Sequence, residues 1–254
     1  LSLKLLRVLN NKAGIAIVYG GIANNYTRKG ELDSAVKYRM LALKMAEESG
    51  SKKNIAAAHG NLGELYYALK NYPKALESFR YHLKIVEEVG NKPGMIIPLS
   101  NIANTLMTLG KDKEALPLLV RAKELSDETG NLEGLSIVLN NLGTIYHERK
   151  ELTKASGYYL QSLKAAEDMG DAWDMSVAFF ALGSINLDQK NYDKALSYFQ
   201  SAYQSSKLEG TNEKMQNALW GMATAYEKKG NSGEALKYYK LYSASKDSLL
   251  NKDI

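Results

Sequence analysis

The sequence predicts an all-α chain, a solenoid of tandem helix-turn-helix units, and three observations carry that reading. Written in rows of 40 residues, the chain aligns with itself without a gap, so that Ala35, Ala75, Ala115, Ala155, Ala195 and Ala235 fall in one column. Ala, Leu, Lys, Glu and Tyr dominate and only 4 Pro occur in 254 residues, a composition that favours helix throughout. A glycine recurs at Gly50, Gly90, Gly130, Gly170 and Gly210, where a residue of positive φ would end a helix.

Residues 1–10 align with the end of a second helix: Leu1-Ser2-Leu3-Lys4 matches Leu41-Ala42-Leu43-Lys44, and Asn10 falls in the glycine column, where Asn is the usual substitute. They are expected to close a repeat that lies upstream of this sequence. The full repeats are then 11–50, 51–90, 91–130, 131–170, 171–210 and 211–254, the last with an extended C-terminal helix.

In each first helix a small residue follows a large apolar one: Ile22-Ala23, Leu62-Gly63, Ile102-Ala103, Leu142-Gly143, Leu182-Gly183 and Met222-Ala223. Small beside large lets two backbones approach while the neighbour fills the groove between them. Three residues on comes Tyr26, Tyr66, Leu106, Tyr146, Asn186 or Tyr226, which completes the i, i+3, i+4 stripe of an amphipathic helix. Turns come next, with Gly or Asn expected to take the left-handed conformation in Lys29-Gly30-Glu31, Lys70-Asn71-Tyr72, Gly110-Lys111-Asp112, Lys190-Asn191-Tyr192 and Gly230-Asn231-Ser232. Repeat 91–130 is irregular, because Pro98 and Pro117 fall inside its two helices. Pro117 is expected to kink the second helix or delay its start, and so to bend the superhelix. From Leu236 to Leu250 a long helix with Tyr238, Tyr239, Leu241, Tyr242, Leu249 and Leu250 is expected to cap the last repeat or to lead into a downstream segment.

The composition also excludes functions. Hydrophobic content of 45% with 24% charged residues suits a folded, soluble chain, and no run approaches the roughly 18 apolar residues a bilayer span needs. The 33 basic and 28 acidic residues leave a charge of +5, but the Lys and Arg form no stripe interleaved with aromatics, so no nucleic-acid partner is expected. The absence of Cys removes disulfides, thiolate metal sites and a Cys nucleophile. His59, His82 and His147 occupy unrelated columns, with no metal-binding, phosphate-cradling or nucleophile-elbow motif. His59 replaces a large core residue and reads as a packed histidine. The pairs Glu47-Glu48 and Glu87-Glu88 read as solvated faces. Neither an enzyme nor a cofactor or metal site is expected.

These columns resemble the tetratricopeptide repeat over essentially the whole chain. Asn61-Leu62-Gly63-x-x-Tyr66, Asn71-Tyr72-x-Lys74-Ala75-Leu76 and Phe79 match its pattern, as do Asn141-Leu142-Gly143-x-x-Tyr146 with Ala155 and Tyr159, and Leu182-Gly183 with Asn191-Tyr192-x-Lys194-Ala195-Leu196 and Phe199. The period of 40 exceeds the common one of about 34 and is similar to the long-repeat branch of kinesin light chains, polarity adaptors and bacterial pheromone receptors. The C-terminal run Ala235-Leu236-Lys237-Tyr238-Tyr239-Lys240-Leu241-Tyr242 is similar to the last repeat of bacterial sensors, in which such repeats precede a membrane helix and a histidine kinase or DNA-binding output domain. The sensor resemblance implies a periplasmic location, and without it a cytoplasmic one.

The family resemblance implies an α-solenoid, a right-handed superhelix whose first helices line a concave groove that takes a protein or an extended peptide. In that groove it places Asn61, Asn101 and Asn141 as a ladder holding a peptide backbone, since a side-chain amide both donates and accepts. The next groove column holds Asn24, Glu64 and Asn104, and Asn140 shares a third with Phe180 and Trp220, two aromatics where Gly20, Gly60 and Ser100 are small. Exposed aromatics in a concavity are typical anchors. Tyr67 and His147 share a column that reaches towards the groove. For the asparagines a packing or solubility role, and for the aromatics a gap-filling one, stands beside the ligand reading. The implied function is a non-catalytic peptide-binding module, the sensing or adaptor region of a larger bacterial signalling protein. The alternative is a scaffold for complex assembly without a signalling role. The oligomeric state is not implied.

Overall fold

The structure, a computed structural model, describes residues 3–250, with side chains through residue 246. Among them every element is a helix: α1 (Leu3–Val8), α2 (Lys12–Arg28), α3 (Leu32–Ser49), α4 (Lys52–Ala68), α5 (Tyr72–Glu88), α6 (Lys92–Thr108), α7 (Asp112–Thr129), α8 (Leu132–Glu148), α9 (Leu152–Met169), α10 (Ala172–Asp188), α11 (Tyr192–Glu209), α12 (Asn212–Lys228) and α13 (Ser232–Leu250). Helices α2 to α13 pair as tandem helix-turn-helix repeats, an α-solenoid. They group into two compact units, Leu1–Thr129 and Gly130–Ile254.

Three helix pairs close on a contact between a first-helix glycine and a second-helix ring. A Cβ placed at Gly63 would lie 2.5 Å from the Phe79 ring, one at Gly143 2.5 Å from Tyr159, and one at Gly183 2.6 Å from Phe199. Where the small residue is Ala instead, at Ala23, Ala103 and Ala223, the corresponding second-helix position holds Arg39, Leu119 and Tyr239. In the three glycine repeats, then, the glycine admits a flat ring against the helix backbone. Phe199 is held from both sides, since a Cβ at Gly221 would also come within 2.8 Å of it. The alanine column lies beneath this contact, with Ala35, Ala75, Ala115, Ala155 and Ala195 wholly buried. Stacked tyrosines close three of the pairs: Tyr26 on Tyr38, Tyr146 on Tyr158 and Tyr226 on Tyr238, each with centroids 5.4 Å apart.

Helix ends follow local chemistry. First helices start on Asn11, Ser51, Asn91, Asn131 and Asp171, whose side chains accept from the backbone N–H three residues on. The glycines Gly50, Gly90, Gly130, Gly170 and Gly210 have φ between 66° and 69°, and Asn10 has φ 48°. The turns inside repeats depart from expectation. Lys70, Lys150 and Lys190 take φ of 58°, 60° and 63°, in register with Gly30, Gly110 and Gly230. The asparagine after the lysine is instead the start of the second helix, and Asn71 Oδ1 accepts from Lys74 N–H. The left-handed position is thus fixed by its place in the turn, and lysine occupies it at a conformational cost.

One further expectation needs correction. Pro117 does not delay its helix, because α7 begins at Asp112 and runs through Pro117 to Thr129. Pro98 is likewise carried inside α6, fully buried, where its ring serves as packing. The acidic pairs lie on solvated faces and also form exposed ion pairs: Glu48 with Lys12 and Glu88 with Lys52, both at 2.9 Å, and Glu87 with Arg121 at 2.7 Å. Each joins a second-helix C-terminus to a neighbouring helix. In α13, Tyr238 and Tyr242 pack on the Phe199 cluster while Leu236 and Leu241 stay exposed; the side chains of Leu249 and Leu250 lie outside the described residues.

His59 and His82 are both half-buried in the first unit. His59 stacks on Tyr81 with centroids 5.0 Å apart. His82 fills the space left by Gly60, and its Nδ1 is buried without a hydrogen-bond partner among the described residues. Burial pushes both pKa values down, with His59 adding repulsion at His82, while Glu47 and Glu77 pull His59 back up.

Three stability measurements test this account. Gly183→Ala should destabilise the second unit by about 1–3 kcal/mol in chemical denaturation, because overpacking against Phe199 outweighs the roughly 1 kcal/mol that Ala gains in helix propensity. Lys150→Gly should act in the opposite direction, raising stability by about 0.5–1 kcal/mol through relief of the left-handed residue. Both histidines titrate lower in the folded chain than the ordinary 6.5, so the unfolded chain takes up protons first as pH falls. The melting temperature should therefore fall as pH drops below about 6.5, and His82→Leu should flatten that dependence.

Candidate peptide groove

Two hollows lie along the first helices of the first unit. A hollow of about 290 Å³ is lined by Asn24, Thr27 and Arg28 of α2, Arg39 of α3, and Asn61, Glu64, Leu65 and Ala68 of α4. A second, of about 90 Å³, is lined by Ala16, Ile17, Arg39, Ala42, Asn54, Ala57, Ala58 and Asn61. Arg39 and Asn61 belong to both, so they stand between the two hollows. Along α2 the residues Ile17, Gly21, Asn24 and Arg28 recur at helical spacing on one face. A Cβ at Gly21 would meet nothing within 4 Å.

Three of the residues expected at the groove, Asn24, Asn61 and Glu64, therefore line one hollow. Asn24 Oδ1 accepts a 2.6 Å hydrogen bond from Arg39 Nη2. Asn61, Asn101 and Asn141 are half-buried, make no side-chain hydrogen bond among the described residues, and keep their amide atoms in reach of solvent. Asn61 and Asn101 belong to the first unit and Asn141 to the second. Glu64 remains open to solvent but sits in a concavity crowded by protein. The lost hydration pushes its carboxyl up, and Arg39 pulls it partly back. The same burial lowers the pKa of Arg39, against the pull of Glu64.

Other expected residues are engaged within the protein. Asn104 Nδ2 donates to Tyr67 Oη at 3.4 Å, and that hydroxyl lies 2.9 Å from Thr108 Oγ1, tying α4 to α6. His147 Nε2 lies 3.1 Å from Asp188 Oδ2, which also accepts from Lys150 at 3.4 Å, tying α8 to α10. Partial burial raises the Asp188 carboxyl, but these two hydrogen bonds outweigh it and hold its pKa below the usual range. The column of Tyr67 and His147 is thus a strap between successive first helices. Asn140 is half-buried, with its Oδ1 buried and unpartnered among the described residues.

The two aromatics differ. Phe180 is half-buried with its ring 5.4 Å from Phe199, so it fills the gap towards α11. Trp220 is 48% exposed. Trp173, also exposed, holds the Lys214 ammonium 4.3 Å from its ring centroid. Arg39 is not among the groove residues expected from the sequence, although the aligned columns carry its signal: it stands alone as a charge among Phe79, Leu119, Tyr159, Phe199 and Tyr239.

No arrangement of His, Asp and Glu that could hold a metal occurs among the described residues, and no described helix is long and apolar enough to cross a membrane. No curated protein matches the chain in sequence. Solved structures resemble it in fold. BtubC from P. vanneervenii superposes with a TM-score of 0.69 at 16% identity, covering 87% of this chain and 90% of that one. A Rap protein complexed with Competence and Sporulation Factor gives 0.67 at 15% identity, covering 92% and 75%. A signal transduction ATPase with a tetratricopeptide repeat sensor, from Pyrococcus horikoshii, gives 0.69 at 22% identity; 89% of this chain is covered but only 34% of that one. At these identities the likeness is one of fold. In sequence, the tetratricopeptide repeat family model matches residues 14–88, 94–168 and 174–246. With most of its length matched by that model, the chain belongs to the tetratricopeptide repeat family.

Proposed function

We propose that this chain is a non-catalytic module that binds an extended polypeptide along its first helices, as the sensing or adaptor region of a larger bacterial signalling protein. The observation that carries the reading is the state of the Asn61 and Asn101 amides: half-buried, on the first helices of one unit, and without a partner among the described residues. Amides whose donor and acceptor the protein does not use, and which stay open to solvent, can pair with a peptide backbone, which offers both an acceptor and a donor. The hollow beside Asn61 supplies room. The Rap protein whose fold this chain shares is complexed with Competence and Sporulation Factor, and the Pyrococcus horikoshii ATPase carries its repeats as a sensor; both lend support to the sensing reading over plain assembly.

The test is an array of nine-residue peptides of varied sequence, screened against the purified chain, with titration of the binders. The combined variant Asn61→Ala, Asn101→Ala, both in the first unit, should weaken binding at least about tenfold, since each amide bond lost is worth about 0.5–1.5 kcal/mol. Its helical circular dichroism and melting temperature should stay close to those of the parent. Loss of the fold in the variant would instead assign these asparagines to packing.

A further inference from the structure

We infer that Arg39 is an anion receptor, and that the polypeptide bound by the first unit seats an acidic side chain against it in the hollow between α2 and α4. The inference rests on the groove reading above and names the chemistry of the partner.

The first argument is displacement from a column. At Phe79, Tyr159 and Phe199 the second helix places a ring over a first-helix glycine. Arg39 stands at the same position of the first repeat, opposite Ala23, and its guanidinium reaches the groove side of α2. There Nη1 passes beside Gly20, 3.7 Å from where a Cβ would sit. An arginine in a core column gives up hydration that the rings beside it never needed.

The second argument is incomplete pairing. A guanidinium carries five N–H donors. Among the described residues Arg39 makes one side-chain hydrogen bond, to Asn24, while its Nε is buried with no partner at all. Glu64 lines the same hollow and acts on Arg39 through space, yet the two form no ion pair among the described residues. The hollow holds Arg28 and Arg39 against Glu64 alone, so its charge sum is positive. A partly dehydrated cation with open donors is the natural seat of a carboxylate, which can take two of them side by side. Asn24 and Asn61 flank the spot with amide donors for the remaining lone pairs.

The third argument is unexplained glycine. Two successive glycines, Gly20 and Gly21, lie in the interior of α2, at a cost of about 1 kcal/mol each in helix propensity. Gly63, Gly143 and Gly183 are required by rings, whereas Gly21 meets nothing within 4 Å and Gly20 only the Arg39 tip. No packing among the described residues demands them, and their bare backbone keeps the approach to Arg39 open.

The test works without the partner being identified. N-acetylaspartate amide and its neutral counterpart N-acetylasparagine amide are titrated into the labelled chain, and NMR follows the Arg39 Nε–H and the Asn24 and Asn61 side-chain amides. The acid should cause saturable shifts at these groups and the neutral probe should not. Arg39→Gln should abolish the response at the two asparagines, and Glu64→Gln, which removes the competing carboxylate, should strengthen binding at least twofold. Peptides from the array are then compared as Asp and Asn versions, with a loss of at least tenfold expected for the parent chain and none for Arg39→Gln. Should Arg39→Gln fail to fold, the opposite response of Glu64→Gln and the contrast between the two probes decide. Equal shifts with both probes, or shifts that survive Arg39→Gln, overturn the inference. Peptides that bind without regard to their acids also overturn it while leaving the groove reading intact. Response to the acid with no peptide bound anywhere leaves the anion site standing and removes the groove reading.

Discussion

The structure depends on one contact, a side chain from the second helix laid against a small residue of the first. Where that residue is Gly63, Gly143 or Gly183, an aromatic ring approaches the helix backbone more closely than any Cβ would permit. That approach brings the buried alanines Ala75, Ala155 and Ala195 against the facing helix. It also sets the spacing at which the flanking large residues, Leu62, Leu142 and Leu182, reach full burial. Other links are additions to this frame. The stacked tyrosines close a pair near its turn, and the ion pairs of Lys12 and Lys52 close it at the opposite end. These ion pairs are solvent-exposed and guide geometry more than they stabilise.

A repeat built this way separates structure from function by position. The residues that face the second helix are constrained by the ring contact, while those on the opposite face of the first helix are free. This makes a departure within a constrained column informative in a way that variation on the free face is not. Arg39 is such a departure, because it gives up a core ring for a charge. His82 is another, standing among Ala42, Ala122, Ser162 and Ala202, but there the cause is local: Gly60 has made room and the imidazole fills it. Arg39 is compensated only in part, since its first helix supplies Asn24 as the acceptor of one hydrogen bond while the guanidinium Nε stays buried without a partner among the described residues.

The fold is legible in the sequence because the period fixes which residues share an environment, and every column averages that signal over several copies. The capping glycines are readable for that reason, and Asn10 with them, since φ is a property of one residue in a fixed place. The lysines at 70, 150 and 190 escape such a reading when residue preference decides within the turn, because register with Gly30 and Gly110 decides instead. The N-terminal caps Asn11, Ser51, Asn91, Asn131 and Asp171 form a column as clear as any other and are legible in the same way. Pro117 defeats the expectation of a delayed helix because the cost of one missing donor is only half of the balance. The packing that holds α7 on its partner, where Ala115, Leu119 and Ala122 are wholly buried, is the other half.

The candidate groove is legible only in part, and the physical reason is that column position says which way a side chain faces but not what it meets. Asn104 and His147, expected at the groove, are spent on neighbouring first helices, through Tyr67 and Asp188, partners that lie one repeat away and in other columns. Phe180 and Trp220 share a column but not a fate: Phe199 lies within reach of the first, and the second stays exposed. Asn61 differs from Asn104 in the same sense, with its amide left over after the protein has made its own contacts. What distinguishes a binding residue from a structural one in such a chain is therefore the unspent hydrogen-bonding capacity that remains when every intramolecular contact is counted. Arg39 and Asn61 border both hollows and keep hydrogen-bonding groups that no contact among the described residues uses, which is the capacity the proposed groove draws on.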